Sequence, residues 1–373
     1  MNKKILFLLP LASLLLVSCK TNTTPSSLRF NLPEIGTVDL HTEAQLKYIN
    51  AADYTTTSGI AAGSSEKSAS NGLEISWSTK QKGRNPDWYE VLVFNDVDER
   101  SDAYALVYEP KATIYNLKIN YDYKMTILAH YDSSPKDKAA IFTSEKVSFK
   151  TANNYPRNLN VENVGNMRDL GGRGIKQGLI YRSARFSESD GTSNLTKESR
   201  SALNMLNIKT EIDLRRRDEN GEITESPIGN EVTYYHLPMI YGGENILTYV
   251  GDHSSGHYDN PNEIKNFFNI LADENNYPLD FHCSIGKDRT GCMAFLIEAL
   301  CGVEEEYLYR DYLFSNFAKI GGICEMKDID DRYGKTIRDY EGSNLQEKTY
   351  NYLNNVIGVE SNKLDTIINI LKA

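Results

Sequence analysis

The stretch DFHCSIGKDRTG, residues 280–291, gathers a cysteine, two glycines, a lysine and an arginine between an apolar lead-in and an apolar helical run. Cys283 opens the turn, Arg289 follows six positions later, and Gly286 lies between them. This pattern suits one chemistry. A phosphate monoester dianion needs donors converging on its oxygens, a fixed positive charge, and a nucleophile opposite the leaving group. The first N–H groups of a helix have no partner inside the helix and can be those donors. Gly286 lets the backbone curl close to the ligand. The planar fork of Arg289 can hold two phosphate oxygens at once. The same positive cup sharpens the sulfur. A free cysteine titrates near about 8.5, so only a few per cent is thiolate at pH 7. Lowering it by about three units takes roughly 4 kcal/mol of preference for the anion. One helix end contributes at most about 2 kcal/mol, so Arg289 and the loop amides must supply the rest.

Such a device needs a strand, a tight turn and a helix. Strand-like apolar runs at 179–181, 210–214, 232–237 and 279–281 alternate with helical periods near 196–206, 261–273 and 290–301, and the chain is helical again from about 344. Alternating strands and helices predict an α/β domain over 152–373, with a mostly parallel central sheet flanked by helices. Residues 34–151 read differently. Leu73, Ile75 and Trp77, then Tyr89, Val91 and Val93, alternate with polar neighbours, and VSFKT at 147–151 closes the set. Period-two alternation between turn residues predicts an all-β antiparallel sandwich. The polar segment ANNYPRN, with Pro156, reads as a hinge between the halves. A chain of 373 residues suits this multidomain organisation.

With these elements in place, HCSIGKDRTG resembles the HC-x5-R-[ST] signature of the cysteine-dependent protein tyrosine phosphatases, and within them the bacterial tyrosine and dual-specificity phosphatases with an HCxxGKDRTG loop. NMRDLGG (166–172), LIYRSARFS (179–187), EIDLRRRDE (211–219) and YLYRDYLFSN (307–316) resemble the companion segments of that family in the same order. The resemblance implies that Cys283 attacks phosphorus to form a phosphocysteine. Arg289 and the amides of Ser284, Ile285, Gly286, Lys287, Asp288 and Arg289 would hold the equatorial oxygens. Thr290 would donate to the sulfur and make it a better leaving group, and His282 would orient the thiol from behind. No metal or cofactor is required. The implied substrate is phosphotyrosine, with phosphoserine, phosphothreonine or phosphoinositide tolerated. An inositol-phosphate or lipid phosphatase is the alternative, because a lysine at the position of Lys287 also occurs in phosphoinositide phosphatases of the superfamily. An inactive phosphate-binding adhesion protein is the third reading, and the intact Cys283, Gly286 and Arg289 speak against it.

The general acid is less evident. No aspartate follows the strand in YYHLPMIYGGEN, where related phosphatases often carry one. Asp288 in the loop leads, and Asp213 comes second, weighed evenly against a purely structural pairing with a nearby arginine. Glu244 and Asp252 rank lower. Arg215, Arg216 and Arg217 form a basic run that reads as a solvated face, one member of which could line the pocket. His253 and His257 have the i, i+4 spacing of a helical zinc pair, but Ser254, Ser255 and Gly256 between them point to a polar loop. No serine nucleophile elbow is present near any histidine.

In the first half, NLKINYDYKMTILAHY resembles the strand E-to-F region of fibronectin type III domains, with Tyr123 as the tyrosine-corner residue and Trp77 as the core tryptophan. That implies a fibronectin type III-like sandwich over 34–151, acting as spacer or as a surface for an unknown partner. The chain opens with Lys3, Lys4 and a short apolar run ending in Leu-Val-Ser-Cys, which resembles a bacterial lipobox. It implies a signal peptide at 1–18, lipidation of Cys19, a tether over 19–33 and export to the bacterial cell envelope on a lipid anchor. No cysteine occurs between Lys20 and His282, so a disulfide scaffold is excluded, and Cys292 and Cys301 read as buried small hydrophobes. The net charge of −10 excludes a general nucleic-acid binder, not an anionic substrate met by a local positive pocket.

Overall fold

A computed structural model of the chain describes residues 25–57, 60–61, 70–95, 101–131, 141–241, 245–318 and 323–373. The expected signal peptide, Cys19 and the first part of the tether lie outside the described residues. The described chain forms two lobes, β-rich at the N-terminal side and α/β at the C-terminal side.

The N-terminal lobe contains β1 (Arg29–Asn31), β2 (Thr37–Val38), β3 (Leu73–Ser76), β4 (Ser78–Lys80), β5 (Trp88–Asn95), β6 (Ser101–Val107), β7 (Lys111–Ile114), β8 (Asp122–His130), β9 (Ile141–Thr143) and β10 (Val147–Thr151). The main sheet runs β2-β10-β8-β5-β6 with β9 on β8, and β1/β4 and β3/β7 make two smaller ladders. Alternation sets which side chains turn inward. Tyr123, Met125, Ile127 and Ala129 of β8 meet Val91 and Val93 of β5 and Phe149 of β10, in one core with Trp77, Leu117 and Ile119. The Tyr123 hydroxyl accepts from the N–H of Lys118 at 2.9 Å, fixing the corner that precedes β8.

Two of the expected boundaries shift. The tether is shorter than 19–33, because Arg29–Asn31 pairs antiparallel with Ser78–Lys80 while Leu28, Phe30 and Leu32 pack on the β-lobe core. The division at 151/152 is not a division in space. Helix α1 (Glu43–Ile49) is held at its start by a capping box between Thr42 and Gln45. Its Tyr48, with Ala61 further on, is buried in the core of the C-terminal lobe. Arg310 donates to the carbonyls of Tyr48 at 3.0 Å and Ala51 at 2.8 Å.

The C-terminal lobe is built on β11 (Arg157–Asn158), β12 (Arg168–Asp169), β13 (Ile180–Ala184), β14 (Thr210–Asp213) and β15 (Thr233–His236), then a hairpin of β16 (Val250–His253) and β17 (Gly256–Asp259), and β18 (Leu279–Cys283). The sheet order is β11-β12-β13-β18-β14-β15. Strands β13, β18, β14 and β15 run parallel, and β11, β12 and β13 pair antiparallel. The helices used below are α2 (Lys197–Met205), α3 (Arg217–Asn220), α4 (Asn260–Leu271), α5 (Asp288–Leu300) and α6 (Glu305–Phe314). Successive strand residues point to opposite faces. Ile180, Ile212, Leu279 and Phe281 therefore pack with α4 and α5, while Tyr181 packs with Leu203 of α2. Every residue of α5 is buried, which explains why its sequence is apolar on all sides rather than amphipathic. His253 and His257 stand on the hairpin, not in a loop, and His257 meets the exposed Asp252 at 3.1 Å.

Candidate active site

Strand β18 ends on Cys283 and α5 begins at Asp288, so residues 284–287 form the turn at the C-terminal edge of the parallel strands. The positive φ of Gly286, 67°, is open to few side chains, and a Cβ there would stand 2.5 Å from the carbonyl oxygen of Ser183. Gly286→Ala is accordingly expected to cost about 1–3 kcal/mol in thermal or urea unfolding and to weaken phosphate binding. An unchanged melting point and phosphate affinity would show that the turn does not need this conformation.

The turn is held by its carbonyls. Arg185 donates to Ser284 O at 2.9 Å, Asn166 to Ile285 O at 3.2 Å and Gly286 O at 2.9 Å, and Arg182 to Gly286 O at 2.7 Å. Across a planar trans peptide the carbonyl and the next N–H point in opposite directions. Pulling the carbonyls of 284–286 outward therefore turns the N–H groups of 285–287 the other way, as an anion cradle requires. Arg182 and Arg168 share the buried carboxylate of Asp311 on α6, with Arg168 Nε at 2.8 Å. Asn166 also accepts from Arg168. The segments 166–172, 179–187 and 307–316 thus meet beneath the loop, although nothing in their spacing identifies their individual partners.

Cys283 is buried. Burial alone would raise its thiol, but the Arg289 charge and the polar groups of Thr290 and Ile285 facing the sulfur outweigh it and hold the thiol below its ordinary value. Arg289 is also buried. Its Nη1 donates to Glu219 at 2.6 Å and to the carbonyls of Met239 at 3.2 Å and Leu214 at 3.3 Å. Its guanidinium carbon lies 4.6 Å from the centre of the Tyr241 ring. Among the described residues Nε has no partner, and Nη2 makes only 3.4 Å contacts, to Glu219 and to Ser284 Oγ. The Nε–Nη2 edge is the one left to take two oxygens in parallel. Glu219, quoted with EIDLRRRDE but given no role from sequence, anchors the opposite edge. Burial acts to raise its carboxyl, yet Arg289 holds it below the usual range.

Behind the sheet lies a buried polar layer, on the face opposite Cys283. His282 Nε2 donates to Glu211 at 2.9 Å, and Asp213 lies 3.8 Å from Nδ1. Burial disfavours the imidazolium, but Asp213 and Glu211 outweigh it and raise His282 to about 9. Asp213 does not fit the acid role considered for it. Arg215 grips it through Nε at 3.0 Å and Nη2 at 2.8 Å, and Tyr234 donates at 2.9 Å. Burial works to raise its carboxyl, but His282 and Arg215 hold it well below the usual range, so it is ionised and has no proton to give. Asp288 lies beside Arg289 but is ion-paired with Arg332. Glu244 lies outside the described residues, and Asp252 is exposed on the hairpin. Lys287 donates to Ile323 O at 2.8 Å and meets Asp328 at 3.2 Å. Of the basic run, Arg215 is locked inside, Arg216 pairs with Asp218 at 3.0 Å, and Arg217 lies over the Tyr258 ring. Among the described residues no group of three or more His, Cys, Asp or Glu could hold a metal ion.

The raised His282 gives a pH expectation. Its stabilising contribution is fully present below about 6.5, the unfolded value, and is lost as pH rises through about 9. Urea unfolding of the wild type should weaken between pH 6.5 and 9.5 by on the order of a few kcal/mol, and His282→Asn should flatten that slope. Equal slopes for the two proteins would contradict the buried imidazolium.

A strand, a glycine turn with a depressed thiol and an arginine at the start of a buried helix thus stand together at one edge of the sheet. The sequence profile of the tyrosine phosphatase family matches residues 159–373, more than half of the chain, and the chain belongs to that family. It is 28% identical over 157 residues to a protein named tyrosine-protein phosphatase from Nostoc commune, covering 39% of this chain and 52% of the relative. The chain thus spans about half the length of that curated relative. Among solved structures it is similar to the core catalytic domain of the PP-IP phosphatase SIW14 from S. cerevisiae, in complex with citrate, at 18% identity and a TM-score of 0.30, covering 46% of this chain and 88% of that one. TpbA of P. aeruginosa is similar at 17% identity and a TM-score of 0.30, covering 50% and 89% respectively.

Proposed function

We propose that this protein is a phosphomonoester hydrolase that acts through a phosphocysteine on Cys283, with phosphotyrosine as its preferred substrate. The observation that carries the reading is the Cys283 thiol, held below its ordinary value at the foot of a turn whose carbonyls are tied outward and whose arginine has only long contacts along its Nε–Nη2 edge. Cys283 attacks phosphorus while the amides of 284–289 and the Nε–Nη2 edge of Arg289 hold the oxygens. Thr290 then stabilises the departing sulfur as water attacks. His282 acts from behind as an imidazolium.

Two features favour an aryl phosphate. The carboxyls nearest the loop, on Asp288 and Glu219, are both ion-paired with arginines. A phenolate with a pKa of about 10 leaves without much help, whereas an alkoxide needs a proton in the transition state. Asp288 remains the candidate donor, once substrate displaces Arg332. Lys287, the extra cation that a polyphosphorylated ligand would use, is already neutralised by Asp328. A panel of phosphotyrosyl peptide, phosphoseryl peptide and a polyphosphoinositide, run on wild type and Asp288→Asn, tests the assignment. Phosphotyrosine is expected to turn over at least about tenfold faster than the others, and Asp288→Asn to lose more on phosphoserine. Faster clearance of the phosphoinositide would overturn the preference, and no turnover of any would leave a phosphate-binding protein.

The β-rich lobe fits a fibronectin type III-like module, on the Tyr123 corner and the buried Trp77. Export on a lipidated Cys19 would place the enzyme at the cell envelope. Globomycin, which blocks lipoprotein signal cleavage, should then retain the precursor.

A further inference from the structure

The two lobes are joined by buried and half-buried side chains, not merely by the hinge. Asn116 donates to Asn160 O at 3.0 Å and accepts from Asn160 N at 2.7 Å. Gln177 makes the same reciprocal pair with Ile119, both bonds at 2.9 Å. His41 Nε2 donates to Pro156 O at 2.7 Å. One residue in this seam reaches further than the rest. Tyr155 is 1% exposed, and its ring belongs to the β-lobe core with Leu117, Ile119 and Tyr123. The ring meets Tyr307 of α6 edge-on at 5.9 Å. Its hydroxyl donates to Glu298, about three turns into the helix that starts at the phosphate loop.

Glu298 is 1% exposed, and its second oxygen, Oε2, has no partner among the described residues. Burial and the Asp311 charge push its carboxyl well above the ordinary range. Asp311 is the carboxylate shared by Arg168 and Arg182, and Arg182 is the donor that holds Gly286 O. Among the described residues, the Tyr155 bond is therefore the one hydrogen bond to the carboxyl of a buried acid lying in the field of the cluster that carries the loop. Such clusters are costly when partly satisfied and rigid when complete.

We propose that Tyr155 is a positioning residue through which the β-rich lobe sets the phosphate loop: its ring is fixed in the β-lobe core and its hydroxyl fixes Glu298 on α5, beside the Asp311–Arg182–Gly286 support. The β-rich lobe is then a working part of the catalytic unit and not a detachable spacer. This rests on the reading of residues 283–290 as a phosphate loop.

Tyr155→Phe in the full chain keeps the ring and removes the bond. It is expected to weaken inorganic phosphate, measured by calorimetry, by about five- to tenfold, the worth of one buried hydrogen bond. It should also move the pH midpoint for iodoacetamide alkylation of Cys283 upward. Glu298→Leu removes the same bond from the other end and should give the same two shifts, with the double variant no worse than either single one. Tyr131→Phe, at another buried tyrosine of the same lobe, should change neither. A Tyr155→Phe protein that melts earlier but binds phosphate and alkylates as wild type does would reduce Tyr155 to a structural contact and overturn the proposal. Should Tyr155→Phe not fold, Glu298→Leu alone decides by the same two readouts. Wild type that binds phosphate with these shifts yet turns over no substrate would remove the enzyme reading and leave the coupling standing. Wild type that binds no phosphate would remove both.

Discussion

Cys283→Ser is expected to lower turnover of p-nitrophenyl phosphate by at least about a thousandfold while leaving inorganic phosphate affinity within a few-fold of wild type. The charges around the sulfur act on a thiol, whose ordinary titration near about 8.5 such charges can lower. The Arg289 guanidinium and the polar groups of Thr290 and Ile285 are enough to hold it below its ordinary value against burial. A serine hydroxyl lies far above that reach, so the same field leaves it protonated and weakly nucleophilic. The cradle itself is untouched, because Ser284 O, Ile285 O and Gly286 O keep their donors on Arg185, Asn166 and Arg182. Binding and chemistry should therefore separate cleanly. Equal rates for the two proteins would remove the phosphocysteine, and loss of phosphate binding together with turnover would mean that the sulfur organises the loop instead of reacting.

Arg289→Lys should reduce kcat/KM by about a hundred- to a thousandfold, the cost of removing a preorganised donor from a developing oxyanion. A lysine can still reach Glu219 and keep the charge. It cannot occupy two phosphate oxygens in parallel while bonding Glu219 from its other side, as the planar fork does. The loss should fall on kcat more than on KM, because charge on the equatorial oxygens shifts most in the transition state. Glu219→Gln should show a milder form of the same defect, since Arg289 would lose the 2.6 Å bond that fixes its plane but keep the carbonyls of Leu214 and Met239. A lysine variant with wild-type kcat/KM would show that the arginine contributes only charge.

The cysteine, the glycine turn and the arginine were legible because they lie within seven consecutive residues, and local spacing fixes how a strand, a turn and a helix present them. The same holds for the alternation that gives Tyr123, Met125 and Ile127 to one core. Legibility ended where a residue's role depends on what lies opposite it. Asp213 could be read as an acid or as an arginine's partner from EIDLRR alone, and only the closure of Arg215 and Tyr234 around it decided for the partner. Asp288 was visible beside Arg289, but its pairing with Arg332 spans a separation that no periodicity encodes. Glu219 carried no signal apart from a charge in a charged run.

The sequence by itself determined the family of this chain and the placement of a thiol, a helix start and an arginine at fixed spacing. The tertiary structure decided which carboxyls are occupied and how the lobes depend on each other. The packing of Tyr48 into the C-terminal core and the reach of Tyr155 to Glu298 unite residues 143 or more positions apart. Their contact energy comes from burial and from satisfying polar groups that have no water to turn to, and those conditions exist only after the chain has closed around them.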